Sequence, residues 1–231
     1  MTILFSEGFE TGDLTNFTST TITAGATLTG GDTTNPHHGT YNLKSTMPTG
    51  LSAGSWACAN KSGFDGNSTL YIRAMNVKFD QLPEDNTDNH YFFGCFQAAS
   101  SNAIVRCGCN NSGGTIRWLV RGISSGTTFT NYTGTNTPEI NTNYTLELQV
   151  TLGSGTGIFR LYVNGSLEVE VTGVDNDSRA LNYIQFGNCG STQPDLNALN
   201  VYMDCIDVAD VYLGPEAVGQ QLFTLINEMG Y

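Results

Sequence analysis

Residues able to do acid–base or nucleophilic chemistry are few and scattered in this sequence. Its three histidines are His37, His38 and His90, and the first two share the turn-like stretch NPHHGTYN, where packing of a loop accounts for them. Glycoside hydrolysis needs two carboxylates facing each other across a cleft about 5–10 Å wide. Glu168 and Glu170 could share one strand face, but they stand just beyond a tight turn, where a solvated face is the simpler account. No GxSxG elbow, HExxH helix, phosphate loop or GxGxxG turn can be read. Cys107 and Cys109 lack the CxxC or histidine spacing of a zinc site. The six cysteines are expected mainly as buried free thiols, with one or two bridges as the alternative. These observations predict a protein that is not an enzyme.

Binding chemistry is better supplied. Sugars are held by aromatic faces stacked on C–H surfaces, with amide, carboxylate and guanidinium groups aimed at hydroxyls. Trp56, Tyr71, Tyr91, Arg117, Trp118 and Arg121 are the candidate carbohydrate-binding residues. The alternative for both tryptophans is a place in the hydrophobic core.

The elements that must position these residues are strands. In GIFRLYVNGSLEVEVTG, apolar and polar residues alternate on both sides of Asn164-Gly165, a pair suited to the two positive-φ positions of a type I′ turn, which predicts a hairpin. Similar runs recur from residue 69 to residue 213, separated by Gly, Asn, Ser, Thr and Pro clusters. The chain of 231 residues is long enough for one sandwich. The expected fold is all-β, an antiparallel two-sheet jelly-roll sandwich over residues 1–215, with first and last strands adjacent. In residues 216–231, Val218, Leu222, Leu225, Ile226 and Met229 fall at helical spacing and predict a short amphipathic helical tail.

A formal charge of −12 and only 13% charged residues argue against nucleic acid and anionic lipid as partners. No run reaches the length of a membrane span, and the opening MTILFSEGFE lacks the pattern of a signal peptide. Eight N-x-S/T sequons only slightly exceed what this composition yields by chance.

Three stretches carry a resemblance. GFETGDLTNF near the start, NPHHGTYNLK after it and VYMDCIDVADVYLGP at 201–215 resemble, in order, the opening, second and closing motifs of concanavalin A-like (laminin-G-like) jelly-roll domains and carbohydrate-binding modules. The resemblance implies a two-sheet jelly roll. It also implies a structural calcium ion pinning first and last strands, for which Glu10, Asp32 and Asp204 are the hard oxygen ligands. Lyases of this fold class use a Gln or His with a Tyr and an Arg on one concave sheet. Tyr91, Gln97, Arg117 and Arg121 have the right types, but the lyase signatures are absent from the sequence.

The resulting expectation is a non-catalytic, lectin-like surface subunit that binds glycans or decorates an assembly, extracellular or on a phage or virus particle, with protein partners. The alternatives are a secreted carbohydrate-binding module and, behind it, a polysaccharide lyase or glucanase.

Overall fold

The computed structural model describes residues 2–51, 54–98, 101–191 and 198–215. The expected tail at 216–231 lies outside the described residues.

Alternating side chains build two sheets. The first contains β1 (Ile3–Glu7), β3 (Thr27–Asp32), β4 (Asn42–Met47), β6 (Thr69–Phe79), β11 (Tyr144–Thr151), β12 (Gly157–Val163), β13 (Ser166–Val174) and β15 (Leu199–Ala209). Its order is β13-β12-β11-β6-β15-β4-β3, with β1 added beside β15. The second contains β2 (Ser19–Ile22), β5 (Ser55–Ser62), β7 (Asn89–Ala98), β8 (Ser101–Ser112), β9 (Thr115–Ser125), β10 (Thr128–Thr133) and β14 (Tyr183–Ser191), in the order β10-β9-β8-β7-β14-β5-β2. Every ladder between named strands is antiparallel. The sandwich and the adjacency of β1 and β15 are therefore as expected, and no helix is formed among the described residues.

The predicted hairpin is β12–β13, and Asn164 and Gly165 take φ of 51° and 80°, as a type I′ turn requires. In β12, Gly157, Phe159 and Leu161 are buried while the residues between them are half-buried. Opposing inner faces interlock through aromatic rings, Phe79 on Phe92 at 4.9 Å and Trp118 against Tyr144 at 4.9 Å. Trp118 is thus a core residue, 1% exposed, and not a sugar platform. A ring of that size at the centre of two sheets contributes more by leaving water than it could by stacking on a ligand.

Parity defines the outer face of the second sheet. Ala57, Ala59, Val120, Ile184 and Phe186 belong to the main core. Their strand neighbours Cys58, Leu119 and Cys189 join Tyr91 and Phe96 in a separate cluster, as the period of two demands. That cluster lies on the side of the sheet away from the core, yet its members are fully buried. The outer face of this sheet is accordingly covered at its centre by other side chains.

Candidate active site on the outer face of the second sheet

Register assembles the site. Gly94 of β7 stands opposite Gln185 of β14 on one side and Arg106 of β8 on the other. Gln185 in turn faces Asn60, Arg106 faces Arg121, and Arg121 faces Asn131. One row of polar side chains therefore crosses the sheet perpendicular to its strands. In the adjoining row, Gly108 faces Tyr91 and Leu119. The two glycines leave the floor open: a Cβ on Gly94 would meet the Arg106 side chain at 2.9 Å, and one on Gly108 would overlap the His90 carbonyl.

Tyr91 is the hub. The Arg106 guanidinium lies 4.1 Å over its ring, and Arg121 Nη1 donates to its hydroxyl oxygen at 3.2 Å. Arg106 Nη1 also donates to the carbonyls of Cys189 and Gly190, at 3.1 and 3.3 Å. Gln185 is completely buried, and both its amide oxygen and its amide nitrogen lack a partner, as do Nε of Arg106, Nε of Arg121 and Oδ1 of Asn110. A buried amide left unpaired costs about 1–3 kcal/mol. These orphans share one face of the sheet, and each calls for a partner that the described residues do not supply.

Its charge is one-sided. The seven strands of the second sheet contain no Asp or Glu, while carrying Lys61, Arg106, Arg117 and Arg121. Glu7, Asp32, Glu147, Glu168, Glu170 and Asp204 all sit on the first sheet. Among the described residues, ion pairs hold Lys44, Arg73 and Arg160, but no carboxylate pairs with Arg106 or Arg121. Burial pushes the Arg106 guanidinium below its ordinary pKa, and the Arg121 charge adds to that. A bound anion would relieve both.

The six candidate binding residues separate. Tyr91 and Arg121 are at the centre. Trp56 lies on the same face, its ring edge-on to Phe96 at 5.8 Å, and Arg117 occupies the far end of that face opposite Asn110. Trp118 points the other way, into the core, as described above. Tyr71 is on the first sheet, beside Tyr212 at 6.3 Å. Gln97 is exposed at the end of β7, and the glutamine of the site is Gln185. Arg106, Gln185, Asn110, Phe129 and Arg179 were not among the candidates. Parity could have put Arg106, Gly108 and Asn110 on one face of β8, but only the register across four strands brings them to Gln185.

Histidine has no part here. His90 is paired with Cys109, a core residue, and so faces inward, on the side of β7 opposite Tyr91. His37 and His38 lie in a turn whose N–H groups donate to Asp204 Oδ2 at 2.7 and 3.1 Å. All six cysteines are free thiols, and burial raises the thiols of Cys95, Cys107, Cys109 and Cys189 far from ionisation.

Among the described residues, the expected calcium ligands Glu10, Asp32 and Asp204 are not gathered into one cluster, and no three His, Cys, Asp or Glu side chains are close enough to share an ion. Glu10 accepts from the Thr40 N–H at 3.0 Å, Asp32 from Thr34 at 2.8 Å and Asp204 from the turn just described. Each carboxylate is committed to backbone donors.

No family model and no curated protein matches the sequence. Solved structures do match the fold. An endo-β-1,4-glucuronan lyase from the fungus Trichoderma reesei superposes with a TM-score of 0.67 at 14% identity, covering 93% of this chain and 96% of that one. The cellulose-induced protein Cip1 gives 0.68 at 17% identity, covering 92% and 100%. The alginate lyase Aly36B gives 0.58 at 12%, covering 92% and 98%. The jelly-roll-like β-sandwich is the shared feature. The expectation of a non-catalytic, virion-type surface subunit is overturned: the matching structures include polysaccharide lyases and a cellulose-induced protein. The matched fold also hosts enzymes, and a fold alone does not fix function.

Proposed function

We propose that this protein is a polysaccharide lyase that cleaves a uronic-acid glycan by β-elimination on the outer face of the second sheet. The observation that carries this reading is the buried, partnerless amide of Gln185 in one row with the uncompensated Arg106 and Arg121. Lyase activity in proteins of the same fold, as named for the glucuronan and alginate lyases, supports it, and such a substrate places the protein outside the cell.

β-Elimination needs three things: the uronate carboxylate neutralised so that C5 becomes acidic, a group to take the C5 proton, and a proton for the departing O4. Arg106, Arg121 and the Gln185 amide N–H supply the first, because the carboxylate gains charge as the C5–H pair moves toward it. Tyr91 supplies the proton traffic. With no imidazole on this face among the described residues, its hydroxyl is the titratable oxygen at the hub. A carboxylate received by the two arginines draws Arg106 off the phenol ring and Arg121 off its hydroxyl, and so uncovers Tyr91. Tyr91, entering as the phenolate, takes the C5 proton; the C5–H electron pair forms the C4–C5 double bond, the C4–O4 bond breaks with its pair going to O4, and Tyr91 passes the proton to O4 and returns to the phenolate. The products are one unsaturated uronate end and one new reducing end.

The test is incubation with polyglucuronate, polymannuronate and polygalacturonate, reading ultraviolet absorbance of unsaturated ends. Wild type should turn over at least one polymer, and Tyr91→Phe should lower kcat by roughly 10²–10⁴-fold. Wild-type protein that forms no unsaturated ends on any of them would overturn the proposal.

A further inference from the structure

Beside the hub, the cation–ring pattern continues toward the sheet edge. Arg121 lies 5.8 Å from the Phe129 ring centroid and Arg179 lies 5.6 Å from the same centroid. Arg106, Tyr91, Arg121, Phe129 and Arg179 thus alternate charge and ring across β8, β7, β9, β10 and the segment that follows β13. That segment is fastened along the strand ends. Asp175 N–H donates to the Ser124 carbonyl at 3.1 Å, Ser178 Oγ to Gly126 at 2.6 Å and Asn182 N–H to Phe96 at 3.2 Å, and Arg179 Nη1 donates to Ala103. It forms the wall of a pocket of about 270 Å³ lined by Trp56, Phe96, Ala103, Arg106, Phe129 and Arg179, among others.

The pocket lining has two cations, three aromatic rings and no acid. Asp175 and Asp177 stand on the same segment but outside the lining. Its volume lies just under the roughly 300 Å³ lower range of small-molecule sites, which suits one sugar ring and not a longer piece of chain. Arg106 belongs both to this pocket and to the Tyr91 hub, so the two places are neighbours. Rings for a sugar face and a guanidinium for an acid group are what one uronate residue requires.

We infer that this pocket is a second acid-reading subsite, holding the uronate next to the one cleaved, with Arg179 receiving its carboxylate. The inference rests on the lyase reading and sharpens it: the substrate is a contiguous polyuronate and not a chain in which uronates alternate with neutral sugars. Arg179 is a specificity residue, remote from the reacting C5.

The experiment compares kinetics on a homopolymeric uronan and on a polymer alternating uronate with a neutral sugar, using wild type, Arg179→Gln, Arg179→Lys and Phe129→Leu. Wild type should favour the homopolymer. Arg179→Gln should raise KM on the homopolymer about tenfold, the loss expected for one charge-assisted contact, with kcat held within about twofold. Arg179→Lys should recover part of that loss, and neither variant should change KM on the alternating polymer. If the loss of the Ala103 contact unfolds Arg179→Gln, Phe129→Leu on the edge strand β10 reports on the same pocket and should also raise KM. Wild type that cleaves the homopolymer while Arg179→Gln and Phe129→Leu leave KM unchanged refutes the subsite and leaves the lyase reading intact. Wild type that neither binds nor cleaves either polymer refutes both.

Discussion

Replacing Gln185 with methionine should make the protein more stable and abolish its activity. The side chain is fully buried and its amide atoms have no partner, so the folded state carries an unreturned desolvation cost of about 1–3 kcal/mol. Methionine is close in volume and length and has no amide to desolvate. Removing the polar group should therefore return about 1–2 kcal/mol, with the remainder spent on imperfect packing. For a chain of this size each kcal/mol moves Tm by about 2–4 °C, so a rise of roughly 2–8 °C is expected. Calorimetry and urea unfolding measure it, and the urea slope should stay constant. The same sample should form no unsaturated uronate ends. A Tm that falls by several degrees would refute the reasoning, because it would mean that the amide is held by interactions worth more than its burial costs.

Three further outcomes are expected. Trp118→Ala should destabilise the fold by about 3–5 kcal/mol, measured in urea, since it empties the centre of the aromatic core. Asp204→Ala should lower Tm by removing an acceptor shared by the His37, His38 and Cys205 N–H groups, whereas a chelator should leave the melting curve unmoved, because the carboxylates meant for calcium are held by the chain itself. Glu147 is buried and its carboxyl is held above the ordinary range by desolvation, against the Leu213 and Gly214 N–H groups. The fold binds that proton more tightly than the unfolded chain does, so this contribution is full below the ordinary carboxylate pKa and is lost as pH rises through the folded value. Wild-type Tm should fall relative to Glu147→Gln over that rise.

The fold was legible because its signals are local. Asn164-Gly165 needs only its own two residues to specify a turn, and alternation in β12 needs only its neighbours. The site was half legible for the opposite reason. Tyr91 and Arg121 have residue types that suggest sugar chemistry wherever they stand, and so does Trp118, whose core position depends on parity relative to a sheet the sequence does not number. Gln185 looks ordinary in YIQFGN until β14 is paired with β7 and β5. Its importance lies in what surrounds it, and registers across four strands are not written in any one of them. The proposed lyase site is illegible in sequence order on the same account, because its residues come from β7, β8, β9 and β14.

The strands of the second sheet carry no acid, and among the described residues Arg106 and Arg121 stand there without a carboxylate partner in a molecule whose net charge is −12. Beyond a Debye length of about 8–10 Å, a polyanion meets an object of its own sign and is turned away. Closer in, only one side is attractive, so docking is oriented before any contact is made. Raising salt from a very low level should thus first speed association, by screening the general repulsion, and then slow it, by screening the arginines. If the proposed site seats a polyanion, the bound protein should still present most of its net negative charge to solvent, and neighbouring copies on one strand should hold one another apart.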